Sequence, residues 1–283
     1  MNVKYLAQTC GIALILALGL AACTTTTQQG ATGINRQQLL LVSSEQVEAM
    51  AAQSYQEELT KASSKRALNT DKANLERIRQ IADRLIPQVV TFRSDALAWR
   101  WEVNLETRDD LNAYCAPGGK IMFFTGIINK LNLTDDEIAA IMGHEIAHAL
   151  REHGRERVSQ AYAQNAGLNL VGAITGMSQG TSALLQQAAQ IGLTLPNGRG
   201  QESEADIIGL QLLARARYNP NAAVTLWQKM AAATGNSSGS FLSTHPGNAQ
   251  RIRDLQAAIP KVMPLYQQAR RNPAPSRAIV PRT

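Results

Sequence analysis

Gly143-His144-Glu145-Ile146-Ala147-His148 is the stretch on which the reading of this chain turns. The residues before it announce a helix. Thr134 is placed to cap the N-terminus, Glu137 three residues on completes a capping box, and Asp135 and Asp136 put negative charge in the first turn. From Ile138 to Leu150 every position is apolar or small except His144, Glu145 and His148. A helix apolar on all sides is buried, and buried imidazoles and carboxylates are costly unless something pairs with them. Histidines four apart lie about 40° from each other around a helix, so both reach one metal ion. Glu145, about 100° round from His144, stands beside that ion, where it can act on a water.

Two histidines do not complete a catalytic zinc site, which generally takes three protein ligands and a water. The third is expected from Gln201-Glu202-Ser203-Glu204-Ala205-Asp206. Glu202 and Asp206 share a helix face with Ala205, Gly209, Leu213 and Ala216, whereas Glu204 points away with Gln211 and Arg215. Glu202 is therefore assigned as the third ligand and Asp206 as acceptor of an imidazole N–H. Glu204 is expected to be solvated.

The first 22 residues read as a targeting segment, with Lys4 in a short basic region and an apolar run from Leu6 to Leu20. Leu20-Ala21-Ala22-Cys23 resembles the lipobox of bacterial lipoproteins, which implies cleavage before Cys23, its lipidation and anchorage in a membrane. Thr24, where an inner-membrane retention signal would usually have Asp, implies the outer membrane of a Gram-negative bacterium, with the body facing the periplasm. Cys10 leaves with the signal and Cys23 takes the lipid, so Cys115 remains alone and no intramolecular disulfide framework is possible. Residues 23–34, rich in Thr, Gln and Gly, read as a flexible tether, and residues 260–283, basic and proline-bearing, as a disordered tail. The formal net charge of +6 comes without a basic helix interleaved with aromatics, so no nucleic acid is expected as a partner.

Between tether and tail, residues 35–259 read as one domain. Helical spacing runs over 36–62 and 71–90, with Pro87 near the end of the second. The period then changes: Trp99, Trp101, Val103 and Leu105 alternate with polar residues, as in a half-buried strand, and Lys120–Phe124 forms a short apolar strand. A short helix is expected over 126–131. The histidine helix is expected to continue through 151–163, residues 166–195 to form a helical hairpin or packed pair, and further helices to cover 201–217, 220–233 and 249–259. The fold class is α+β, predominantly α, with a small antiparallel or mixed sheet of about three strands and the metal between two core helices.

With these residues in order, H-E-x-x-H followed by E-x-E-A-D resembles the HtpX-like gluzincins, the zinc metallopeptidases that include the CAAX prenyl endopeptidase and periplasmic lipoprotein peptidases. Asn112-Ala113, Pro117-Gly118-Gly119, Gly126, Arg199 and Ser243-Thr244-His245-Pro246 extend the match over roughly 70–258. Asn197-Gly198-Arg199 departs from the Tyr-Ser-Arg common in relatives. The resemblance implies one zinc ion on His144, His148 and Glu202, Glu145 as general base, and Gly119–Phe124 as an edge strand carrying substrate. It places His245 near the zinc, as oxyanion stabiliser or as fourth ligand, with Arg251 a weaker candidate for the same region. His153, nearly opposite His144 on a continuous helix, is expected to make a structural hydrogen bond. The function implied is a zinc-dependent endopeptidase of the periplasm that hydrolyses misfolded or unassembled envelope proteins. The alternative is a non-proteolytic quality-control lipoprotein whose zinc site His245 closes.

Overall fold

In the computed structural model the capped helix forms as its sequence requires. Thr134 Oγ1 accepts from Glu137 N–H, and the Glu137 carboxylate accepts from Thr134 N–H. We describe residues 23–175, 196–233, 241–245 and 249–272. The signal segment 1–22 and most of the hairpin expected over 166–195 lie outside them.

Chain order is β1 (Cys23–Thr24), β2 (Gln38–Leu39), α1 (Ser44–Ser64), α2 (Lys72–Leu85), β3 (Glu102–Glu106), β4 (Ala113–Ala116) and β5 (Lys120–Phe124). There follow α3 (Thr125–Lys130), α4 (Asp135–Leu150), α5 (His153–Thr175), α6 (Arg199–Arg215), α7 (Ala222–Ala233), the short α8 (Phe241–Thr244) and α9 (Ala249–Arg271). Helix α4, which carries the H-E-x-x-H residues, is buried along nearly its whole length and packs chiefly on α6. Their crossing is close because both helices place glycine there. A Cβ on Gly209 would lie 3.1 Å from His144 N, and one on Gly143 would lie 2.7 Å from Leu213 Cδ1. Gly209→Val is therefore expected to wedge the helices apart and lower stability by about 1–3 kcal/mol. An unchanged urea midpoint would show that the crossing is not tight.

The sheet is mixed, in the order β3-β5-β4, with β3 parallel and β4 antiparallel to β5. Lys120–Phe124 is thus the central strand, not the expected edge. The reason was present in its composition, since a continuous apolar run suits a strand covered on both faces. Ile121 and Phe123 enter the main core, while Met122 and Phe124 pack with Tyr55 of α1. The open edge beside the histidines belongs to β4, which packs on α4.

Three other expectations need correcting. The helix does not run on past residue 150, because Glu152 adopts a left-handed φ of 50° and α5 restarts at His153. Residues 24–34 are not a free tether. Gln28 N–H donates to the Phe92 carbonyl, Ala31 N–H to Gln211 Oε1, and Thr27 is buried, so these polar residues find partners on the core. The tail from Pro260 is helical as far as Arg271. Gln256, Pro260 and Pro264 all lie on the exposed face of α9, so the carbonyls that the prolines leave without a helical donor are on the solvent side, while Leu255, Ala258, Ile259 and Val262 keep the other face buried.

Candidate metal centre

Helix geometry brings the first pair of candidate ligands together. His144 and His148, one turn apart on α4, bring their Nε2 atoms to 3.0 Å. Glu202, in the first turn of α6, reaches across the crossing to within 3.4 Å of His144 Nε2 and 3.3 Å of His148 Nε2. His245, just after α8, places Nδ1 3.2 Å from His144 Nε2 and 2.9 Å from Glu202 Oε1. All four residues are buried, and one ligand atom from each lies within 4.8 Å of the others.

These spacings fit a zinc ion. With bonds of about 2.0–2.1 Å, the corners of a tetrahedron lie about 3.3 Å apart. Three imidazole nitrogens converging this closely cannot all carry protons between them, and a cation resolves the crowding. The donor set of histidine nitrogen and carboxylate oxygen suits zinc as well.

Asp206, one turn beyond Glu202, accepts from His144 at Nδ1 (3.0 Å), as its position on the helix suggested. That bond leaves the Nε2 lone pair of His144 for the cluster. Arg251 of α9 holds Asp206 bidentately at 2.6 and 2.8 Å, contacts Glu202, and stacks 3.6 Å from the centre of the Trp227 ring. Arg251 thus balances the two acids rather than pointing into the cleft. Burial opposes ionisation of Glu202, but His245 and His144 hold its carboxyl far below the usual range.

Glu145 lies on the cleft side, 3.3 Å from His245 Nε2, and its buried Oε1 accepts no hydrogen bond. Burial raises its carboxyl above the ordinary value, against the pull of His245 and His144. The cleft, about 310 Å³, is walled by Glu145 and His148 on one side and by Ala113, Tyr114 and Cys115 of β4 on the other. Asn197 and Arg157 close one end, with Asn197 Nδ2 3.3 Å from His245 Nδ1 and the Arg157 guanidinium donating to Asn197. In the sequence Asn197 stands out only as part of the departure at Asn197-Gly198-Arg199, and Arg157 not at all, because an Arg on a polar helix carries no pattern.

Glu204 is the clearest departure. It is 5% exposed, not solvated, and its carboxylate accepts from Arg36, Arg151 and His153. Burial would raise its carboxyl, yet His153, Arg36 and Arg151 bring it down to about 2. His153 makes the structural hydrogen bonds expected of it, and one of them runs to His148 Nδ1 (2.8 Å). Burial pushes the His153 imidazole down to about 4, so it is neutral.

A family model described as peptidase family M48 matches residues 72–259, a span that holds every residue of this cluster. The chain belongs to peptidase family M48. The family resemblance read from the motifs is thus correct, and the α+β class dominated by helix holds as well. Among similar proteins, the mitochondrial metalloendopeptidase OMA1 of Schizosaccharomyces pombe is 37% identical over 164 residues, covering 57% of this chain and 48% of that protein. OMA1 of Saccharomyces cerevisiae is 32% identical over 189 residues, covering 65% and 53%. The metalloprotease LoiP of Escherichia coli is 30% identical over 155 residues, covering 53% and 60%. The chain spans about half the length of the mitochondrial relatives it matches in these two yeasts. Within the matched span His144, His148, Glu202 and His245 bring one ligand atom each to a common point, and Glu145 stands beside them at 3.3 Å from His245 Nε2.

Proposed function

We propose that this M48 chain is a zinc-dependent endopeptidase in which His144, His148 and Glu202 hold the ion and Glu145 is the general base. The observation that carries this is the convergence of those three ligands beside a buried carboxylate with an unused oxygen, at the floor of a cleft. A zinc ion there supplies Lewis acidity to a water and to the scissile carbonyl. Glu145 takes the proton of the attacking water and returns it to the leaving amine.

Substrate is proposed to lie along β4, in place of the central strand. An extended peptide pairing its backbone with Ala113–Ala116 would pass Glu145 and His148, and such pairing gives affinity with little sequence preference. That suits unfolded or unassembled proteins. The targeting segment before Cys23 supports a lipid-anchored enzyme of the outer membrane facing the periplasm; of the similar proteins, LoiP is from a bacterium and the OMA1 proteins are mitochondrial.

His245 occupies the fourth corner of the site, and this favours a second reading in which zinc is closed off and the protein only binds its clients. A removable lid reconciles the two. His245→Ala is then expected to raise cleavage of an unfolded reporter protein, by about tenfold if the wild-type site is open a tenth of the time. Absence of zinc-dependent cleavage in both wild type and His245→Ala would leave the binding reading in its place.

A further inference from the structure

The ligand His148 is held from behind by a second histidine, and the order of hydrogen bonds there fixes which of its nitrogens is free. Glu204, ionised and gripped by Arg36 and Arg151, can only accept, so the 3.1 Å contact with His153 Nε2 is an N–H donated by His153. His153 is fully buried and shares its one acid with two guanidiniums, so no negative charge is left over to hold a second proton; with its single proton on Nε2 it has a bare lone pair on Nδ1. The 2.8 Å contact between His153 Nδ1 and His148 Nδ1 must therefore be donated by His148. His148 then has its proton on Nδ1 and its lone pair on Nε2, the atom that faces His144 and Glu202.

We propose that Glu204 and His153 are positioning residues that hold His148 in its metal-binding tautomer and orientation, as Asp206 does for His144. The relay depends on two local features. The left-handed turn at Glu152 ends α4 and swings His153 back against His148, which a continuous helix would not allow. The segment following Cys23 supplies Arg36, which bridges Glu204 to Glu156 and so ties the N-terminal arm to the rear of the metal centre. This inference rests on His148 being a zinc ligand, as proposed above.

Two measurements on the full chain test it. The chain has four histidines, so ¹⁵N-histidine labelling gives a tractable long-range ¹H–¹⁵N spectrum of the zinc-free protein. His153 is expected as the Nε2–H tautomer and His148 as Nδ1–H; a proton on His153 Nδ1, or on His148 Nε2, overturns the relay whatever the variants do. Zinc affinity by chelator competition is the second measurement. His153→Leu, which fills the space but cannot accept, is expected to weaken binding about 10–100-fold. His153→Gln, whose amide oxygen can accept from His148 and whose amide nitrogen can donate to Glu204, is expected to recover most of that loss. Equal loss in both variants means packing alone and overturns the proposal, as does wild-type affinity in a folded His153→Leu. Should His153→Leu not fold, the wild-type spectrum decides. A wild-type chain that binds no zinc sinks the ligand assignment itself; a wild type that binds zinc beside an indifferent His153→Leu sinks only the relay.

Discussion

Glu145→Gln is expected to lower zinc-dependent cleavage of an unfolded reporter protein by about 10²–10⁴-fold while leaving one zinc per chain. The substitution changes one atom and no volume. Glu145 is 3% exposed, and its Oε1 accepts no hydrogen bond, so the amide displaces nothing and leaves no new cavity. An amide cannot take a proton from water, and the step that Glu145 performs has no substitute among its neighbours. The neighbouring imidazole of His245 has its Nε2 3.3 Å away, and its Nδ1 is engaged with Glu202. Removing a buried negative charge is expected to leave folding stability unchanged or higher. Cleavage by a zinc-loaded Glu145→Gln at the wild-type rate would remove Glu145 from the chemistry. Loss of zinc together with cleavage would instead show that the carboxylate helps to hold the ion.

How far the chain could be read in advance follows from which interactions leave a periodic trace. The cap at Thr134, the histidine pair and the shared face of Glu202 and Asp206 are all local to one helix, so spacing alone places them. The strand at Glu102–Glu106 announces itself by alternation, and its inward residues Val103 and Leu105 are in the core. Glu204 failed because the helical wheel of α6 shows a polar face without showing what covers it. That cover is Arg36, 168 residues away in sequence, together with Arg151 and His153. The central position of Lys120–Phe124 failed for a similar reason, since strand order is a long-range property. Polar composition at residues 24–34 and the prolines of α9 point to disorder only when no folded partner is at hand. Glu152 is different again: no residue-type rule asks for a left-handed glutamate, and the helix pattern on either side hides the break.

Glu202→Ala and Glu204→Ala separate the ligand from the residue behind it. Structural zinc sites with four ligands are worth about 10–16 kcal/mol, or roughly 3 kcal/mol per ligand, so losing one costs more than about 10²-fold in affinity. For Glu202 the cost is expected at or above that figure, because its carboxylate also stands between the imidazoles and Arg251. Without it the guanidinium faces the site with only Asp206 to offset its charge, and a divalent cation is repelled. Glu204 touches neither His144 nor the cluster's centre and acts only through His153, so its removal is expected to cost about 10–100-fold, with some loss of stability from the fully buried Arg151 left without its acid. Chelator competition on the two variants therefore should rank Glu202→Ala well below Glu204→Ala. The reverse order would assign the third ligand to Glu204 and require α6 to sit about 160° away from the rotation seen here.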